Sequence, residues 1–198
     1  MKPEIIKDKI NFLIKSKSKL ELKRNYLGMS NIAGCELVLY NNFFYEMKPS
    51  LKDYQNSYRG YMYESIIKGW LISIGFMVPG TEKEIVAGFD ERFKGHIDGE
   101  DYKGNLIEIK SVTQAKFEKI KADGRLPFRN FCQIQAYLRY GNYDYCTVII
   151  VSTETLDIEI MQIRDNPKIL TAIHTKAISV LNAINNNIPP KCTCGKCK

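Results

Sequence analysis

Asn105-Leu106-Ile107-Glu108-Ile109-Lys110-Ser111-Val112 is an apolar stretch carrying two opposite charges set two residues apart. Read as a strand, its alternation sends Glu108 and Lys110 to one face and Ile107 and Ile109 to the other. Two ionised groups on one face of an inner strand cost free energy unless they are paired or used chemically. Ten residues upstream stands Asp98, in Gly95-His96-Ile97-Asp98-Gly99. The turn segments Gly99-Glu100-Asp101 and Lys103-Gly104-Asn105 lie between them. A hairpin is therefore expected that sets Asp98, at the end of a strand over 93–98, beside Glu108.

An Asp, a Glu and a Lys converging on one side of a sheet are the parts that phosphodiester hydrolysis requires. Carboxylates hold a hard divalent cation, water on that cation becomes nucleophilic, and an ammonium meets the negative charge that builds on the phosphoryl group. Taken alone, Asp-x9-Glu-x-Lys is a common pattern, and a surface ion pair is its ordinary alternative.

Around this stretch the chain has 198 residues, 44% apolar and 26% charged, with 29 Lys+Arg against 22 Asp+Glu and a net charge of +7. That composition suits one domain with a real core and excludes a disordered chain or a disulfide-stapled miniature. A modest positive charge fits a polyanionic partner but also many ordinary enzymes. No apolar run reaches the ~20 residues of a membrane span, so no membrane partner is expected. Met1-Lys2-Pro3-Glu4 opens without an export signal, which leads us to expect a cytoplasmic, intracellular protein. Six cysteines in such a compartment read as metal ligands or buried thiols rather than disulfides.

Helical spacing is expected over 4–24, with Lys15, Lys17, Lys19, Lys23 and Arg24 on a basic face that is either solvated or laid on phosphates. A second helix is expected over 30–45, with Ser30 as its cap, and a third, buried helix over 58–75. After Pro79-Gly80 the period falls toward two, giving strands over 82–86, 93–98 and 106–112. Helices over 113–122 and 130–140, strands over 145–152 and 156–163, and a helix over 166–187 follow.

In this order of elements the chain resembles the PD-(D/E)XK nuclease superfamily, whose core carries Asp on one strand and Glu-x-Lys on the next. Gln133-Ile134-Gln135-Ala136-Tyr137 looks like the Gln-x-x-x-Tyr motif of its RecB-like branch, and the spacing of four sets Gln133 and Tyr137 on one helical face. Arg59-Gly60-Tyr61-Met62-Tyr63-Glu64 stands where RecB-like proteins show Gly-x-x-x-His, with Glu64 in the histidine position, as in phage-type exonucleases of the YqaJ kind. The residue before Asp98 is Ile97 rather than Pro. The resemblance implies an α/β, restriction-endonuclease-like core: a central mixed β-sheet flanked by helices. It implies Mg²⁺ or Mn²⁺ held by Asp98 and Glu108, with Glu64 as an additional or outer ligand. Lys110 would orient the attacking water, and Gln133 and Tyr137 would fix the Lys110 region and the DNA backbone. His96 shares the face of Asp98 by alternation, as a ligand or, more ordinarily, a structural histidine. Arg125 and Arg129, around Pro127, either line a strand's path or are solvated.

Cys192, Cys194 and Cys197 form Cys-x-Cys-x-x-Cys, a spacing that lets thiolates close on one soft metal centre. Cys146 falls in an expected core strand and Cys132 adjoins Gln133, which leaves Cys35 as the best fourth ligand. One cysteine before the core and three after it resembles the AddB nuclease domain and the CRISPR-associated Cas-four exonucleases. That resemblance implies a 4Fe-4S cluster clamping residues near 35 to residues near 195. The spacing here is tighter than is usual there, so structural Zn²⁺ stays an alternative, as does a tail of unligated thiols.

The expectation is a single nuclease domain: 1–29 a basic helix, 30–187 the core, 188–198 the cysteine tail. Its expected activity is that of a metal-dependent exonuclease on single-stranded DNA ends, in recombination, repair, CRISPR adaptation or phage DNA processing. A structure-selective or restriction-like endonuclease and a non-catalytic DNA-binding module are the alternatives. DNA is the expected partner, with a homo-oligomer or recombination and CRISPR proteins beside it.

Overall fold

The computed structural model describes residues 3–18, 20 and 22–195. In chain order they form α1 (Pro3–Lys17), β1 (Leu27–Gly28), a 3-10 turn (Met29–Asn31), α2 (Glu36–Phe44), α3 (Leu51–Ser73), β2 (Glu84–Val86) and β3 (Phe93–His96). Then come β4 (Gly99–Glu100), β5 (Leu106–Val112), α4 (Gln114–Asp123), α5 (Phe128–Gly141), β6 (Tyr145–Ser152), β7 (Ile158–Arg164) and α6 (Pro167–Asn186).

The strands make two mixed sheets, ordered β1-β3-β2 and β4-β5-β6-β7. β5 and β6 run parallel, from Leu106 opposite Cys146 to Val112 opposite Ser152, so α4 and α5 serve as the crossover a parallel pair needs. The alternation expected of β5 holds. Ile107 and Ile109 join Ile149 and Val151 in a core with Ile67 and Leu71 of α3. On the other face Leu106, Val148 and Ile150 join Ile134 and Leu138 of α5 and Ala177 and Val180 of α6 in the main core. No helix among the described residues is long and apolar enough to cross a membrane.

Several expectations need correction. The hairpin does not join the strand over 93–98 to β5. β3 pairs with β1 and β2 in the first sheet, the chain crosses at Ile97 and Asp98, and the two-residue β4 carries the hairpin, Gly99 opposite Ile107. The first helix stops at Lys17, where Ser16 bonds the carbonyl of Leu13 and Ser18 accepts from the amide of Leu20, local bonds that compete with the helix. The helix expected over 30–45 is a 3-10 turn and then α2, with Cys35, not Ser30, in the cap position. α3 starts earlier than expected because Ser50 and Asp53 form a reciprocal capping box. It is also not buried all round. Ile67, Lys68 and Leu71 form its buried stripe, while Ile66, Trp70 and Ile74 are exposed.

Candidate active site

The site is assembled from four elements that meet at the crossing of the two sheets. Extending the β4–β5 ladder by one pair sets Asp98 across from Glu108, and Asp98 Oδ2 accepts the amide of Ile109 at 2.7 Å. The expected neighbourhood of Asp98 and Glu108 is thus present, reached by the short strand. Glu108 is 2% exposed. Its Oε1 accepts from Lys110 Nζ at 2.5 Å and from Gln133 Nε2 at 3.0 Å. Lys110 Nζ also donates to Gln133 Oε1 at 3.0 Å, so one amide of α5 holds both charged groups, its oxygen taking the ammonium and its NH₂ the carboxylate. That NH₂ also donates to Tyr137 Oη at 3.1 Å. The spacing of four on α5 therefore builds a brace from Tyr137 through Gln133 to the Glu108–Lys110 pair.

Tyr137 fits because residue 95 is glycine. A Cβ there would lie 2.7 Å from Tyr137 Cε1 and 2.9 Å from its Oη. The sequence reading missed this contact, although a glycine inside a strand is itself a signal of close approach.

Glu64 enters from α3. Lys68, one turn later and 9% exposed, donates to Glu64 Oε1 at 2.7 Å and to Glu82 Oε1 at 2.6 Å. A cleft of about 740 Å³ opens beside these groups, lined by Glu64, Lys68, Glu82, Asp98, Gln133 and Tyr137 and also by Arg24, Lys83 and Lys94. Lys68 and Glu82 were not singled out in the sequence. The i,i+4 pairing of Glu64 with Lys68 was the available signal.

The carboxylates are short of positive charge. Burial, and then the neighbouring Glu108, push Asp98 well above the usual carboxylate range, with Lys110 pulling it back. Burial likewise raises Glu108 against the pull of Lys110. Burial lowers Lys110, but Glu108 and Asp98 outweigh it and hold the ammonium above its ordinary value. Glu108 Oε2 is buried with no hydrogen-bond partner among the described residues. An orphaned carboxylate oxygen of this kind is costly unless something fills it. Asp98 and Glu64 bear on it electrostatically and offer further carboxylate oxygens, the donor type a hard divalent cation takes, although among the described residues these three do not all come within 4.8 Å of one another as the thiol sulfurs do.

The remaining sequence candidates fall around the cleft or away from it. His96, the last residue of β3, is the register partner of Glu84 on β2, and its Nε2 lies 3.5 Å from Glu84 Oε2. Arg129 bonds the carbonyl of Ser30 and the side chain of Asn31, and Arg125 is exposed. Arg24 lies past the end of α1, in the cleft lining, with its guanidinium over the Tyr26 ring. Lys15 sits over the Tyr54 ring of α3, and Lys19 lies outside the described residues.

A second constellation lies elsewhere. The sulfurs of Cys35, Cys192 and Cys194 are all within 4.8 Å of one another, and Cys192 and Cys194 are 3.6 Å apart. Cys197 is outside the described residues. Thiolates at ~2.3 Å around one ion stand about 3.8 Å apart along a tetrahedron's edge, so the spacing suits a soft metal centre. Cys132 and Cys146 are buried, and burial raises both thiols, which leaves them as core residues.

No protein-family model matches the chain, and no curated sequence does. Solved structures do match. The chain shares its fold with exonucleases. The alkaline exonuclease of Laribacter hongkongensis aligns with a TM-score of 0.66 at 15% identity, over 83% of this chain and 90% of that one. A phage related exonuclease from Haemophilus somnus 129PT aligns at 0.52 and 14% identity, over 80% of this chain and 81% of that one. The SSO0001 structure aligns at 0.58 and 18% identity, over 88% of this chain and 87% of that one. At such identities the likeness is one of fold, an α/β nuclease architecture.

Proposed function

We propose that this chain is a Mg²⁺- or Mn²⁺-dependent deoxyribonuclease, an exonuclease acting on the ends of single-stranded DNA. The observation that carries the proposal is the buried, unpartnered Glu108 Oε2 beside Asp98 and Lys110. Asp98 and Glu108 would hold the divalent cation, with Glu64 as a further ligand. When bound, it lowers the pKa of a water and neutralises charge on the phosphoryl oxygens. Lys110 stays protonated and presents its positive charge to the attacking oxygen and to the negatively charged oxygens of the phosphoryl group. Gln133 fixes the ammonium and the Glu108 carboxylate relative to one another, and Tyr137 fixes Gln133. Arg24, Lys83 and Lys94, which also line the cleft, take the strand's phosphates, Lys83 and Lys94 from their ion pairs with Glu100 and Glu84, so affinity falls as salt rises. The exonucleases that share the fold support action at ends. Such an activity would serve recombination, repair, CRISPR adaptation or phage DNA processing.

The thiols we assign to a structural metal centre, because hydrolysis requires no electron transfer. Cysteines before and after the core fit a 4Fe-4S cluster that closes the chain, and the short sulfur separations fit Zn²⁺. Metal analysis with a visible spectrum of anaerobically purified protein decides between them.

The function is tested by incubating end-labelled linear and circular single-stranded DNA with the wild type and Lys110→Ala, in Mg²⁺ or Mn²⁺. Metal-dependent loss of the linear strand by the wild type alone is expected. Cutting of the circle as well would replace the exonuclease with an endonuclease. Cleavage unaffected by the substitution would overturn the site.

A further inference from the structure

The cleft holds a second ammonium, near Glu64 and Glu82, that the mechanism above does not use. Lys68 is almost buried, and its Nζ is clasped between Glu64 Oε1 at 2.7 Å and Glu82 Oε1 at 2.6 Å. A lysine is rarely taken out of water unless its charge is matched. Here burial opposes the charged form, yet Glu64 and Glu82, with Asp98 beyond them, outweigh it and keep the ammonium protonated. The two carboxylates that close on this ammonium come from one turn earlier on the same helix and from the segment before β2.

The number of ligand groups points the same way. Four carboxylates, Glu64, Glu82, Asp98 and Glu108, gather around Lys68 and Lys110, and two-metal phosphoryl-transfer sites hold their ions about 3.5–4 Å apart. Lys68 Nζ takes up Glu64 and Glu82, which leaves Asp98 and Glu108 as the carboxylates it does not hold.

We propose that Lys68 is a built-in cation, seated between Glu64 and Glu82 where a second metal ion would otherwise bind, and that it holds the cleft to one divalent ion. The proposal deepens the metal-dependent reading of the cleft and rests on it. Lys68 is a positioning residue in this account. It acts through Glu64, whose carboxylate it pins from one oxygen.

The test counts ions rather than turnover. Free Mn²⁺ is followed by its electron paramagnetic resonance signal as the full chain is titrated with Mn²⁺, for the wild type, Lys68→Met, Lys68→Gln, Lys68→Arg and Asp98→Asn, with circular dichroism reporting folding. Mn²⁺ is hard and is poorly served by the all-sulfur thiol site. One ion is expected in the wild type and in Lys68→Arg, and two in Lys68→Met and Lys68→Gln. Two ions in the wild type would overturn the proposal without any variant. So would one ion in a folded neutral variant when Asp98→Asn has lost that ion, which leaves the metal reading of the cleft standing. No saturable binding in the wild type would overturn both.

Discussion

The carboxylate cleft and the thiol cluster are built in opposite ways. In the cleft every side chain has a brace that folding supplies. Asp98 leans on the amide of Ile109, Glu108 and Lys110 are tied to Gln133, Gln133 to Tyr137, and Glu64 to Lys68. The thiols come from the cap residue of α2 and from the segment beyond α6, and Cys192 and Cys194 have one another as near neighbours. A preorganised site spends its charge on chemistry. A site whose ligands come from distant parts of the chain gives its binding free energy to folding instead. The difference teaches that the two regions should fail differently. Damage to the cleft removes activity from a folded protein, and damage to the thiols loosens a protein whose cleft still works.

The largest break comes from Asp98→Asn, which keeps an oxygen for the Ile109 amide but removes the charge. Cleavage in Mn²⁺ should fall by at least about 10³-fold, with a melting temperature no lower than that of the wild type, checked by rate assay and calorimetry on one preparation. Next is Gly95→Ala. Its methyl enters the space of Tyr137, so the brace on Gln133 shifts, and the rate should fall by about 10–100-fold through misplacement alone. A cleft indifferent to this methyl would show that the Tyr137 brace has no catalytic use.

How much of this was visible in the sequence depends on range. Glu108 and Lys110 were readable because period two is local, and Gln133 and Tyr137 because period 3.6 is local. The neighbourhood of Asp98 and Glu108 was anticipated by the wrong route. A two-residue strand has no pattern to detect, and nothing near Ile97 marks the crossing from one sheet to the other. Lys68 lay hidden because a lysine on a helix reads as solvated, and its second partner, Glu82, comes from beyond the helix. The exposed apolar side chains of α3, Ile66 and Trp70 among them, made a one-faced helix look buried.

On the thiol side, Cys35→Ser should lower the melting temperature by about 5–10 °C, the loss of a few kcal/mol at this size. The cleavage rate per folded molecule should stay within about twofold. A matching loss of rate would erase the contrast between the two regions. The smallest effect comes from a control in neither region. Asp90 accepts three hydrogen bonds from Arg92, and the Arg92 side chain holds its carboxyl below the ordinary 3.8 against the opposing effect of burial. The sign follows from that lowered value. The ion pair stabilises the fold above the unfolded-state pKa, and the contribution disappears as pH falls through the lower folded-state value. The pair is only partly shielded, so Asp90→Asn should cost less than about 1 kcal/mol at neutral pH. The gap in melting temperature should close in strong acid, as scanning calorimetry across pH would show.

The central claim, that the carboxylates at the sheet junction cut DNA, is tested most directly by one comparison. The wild type, Asp98→Asn and Cys35→Ser are matched for folded fraction and given end-labelled single-stranded DNA in Mn²⁺ or in EDTA. The account predicts cleavage in Mn²⁺ by the wild type and Cys35→Ser, none by Asp98→Asn, and none by any of them in EDTA. Wild-type cleavage rates from Asp98→Asn, or cleavage that persists in EDTA, would contradict it.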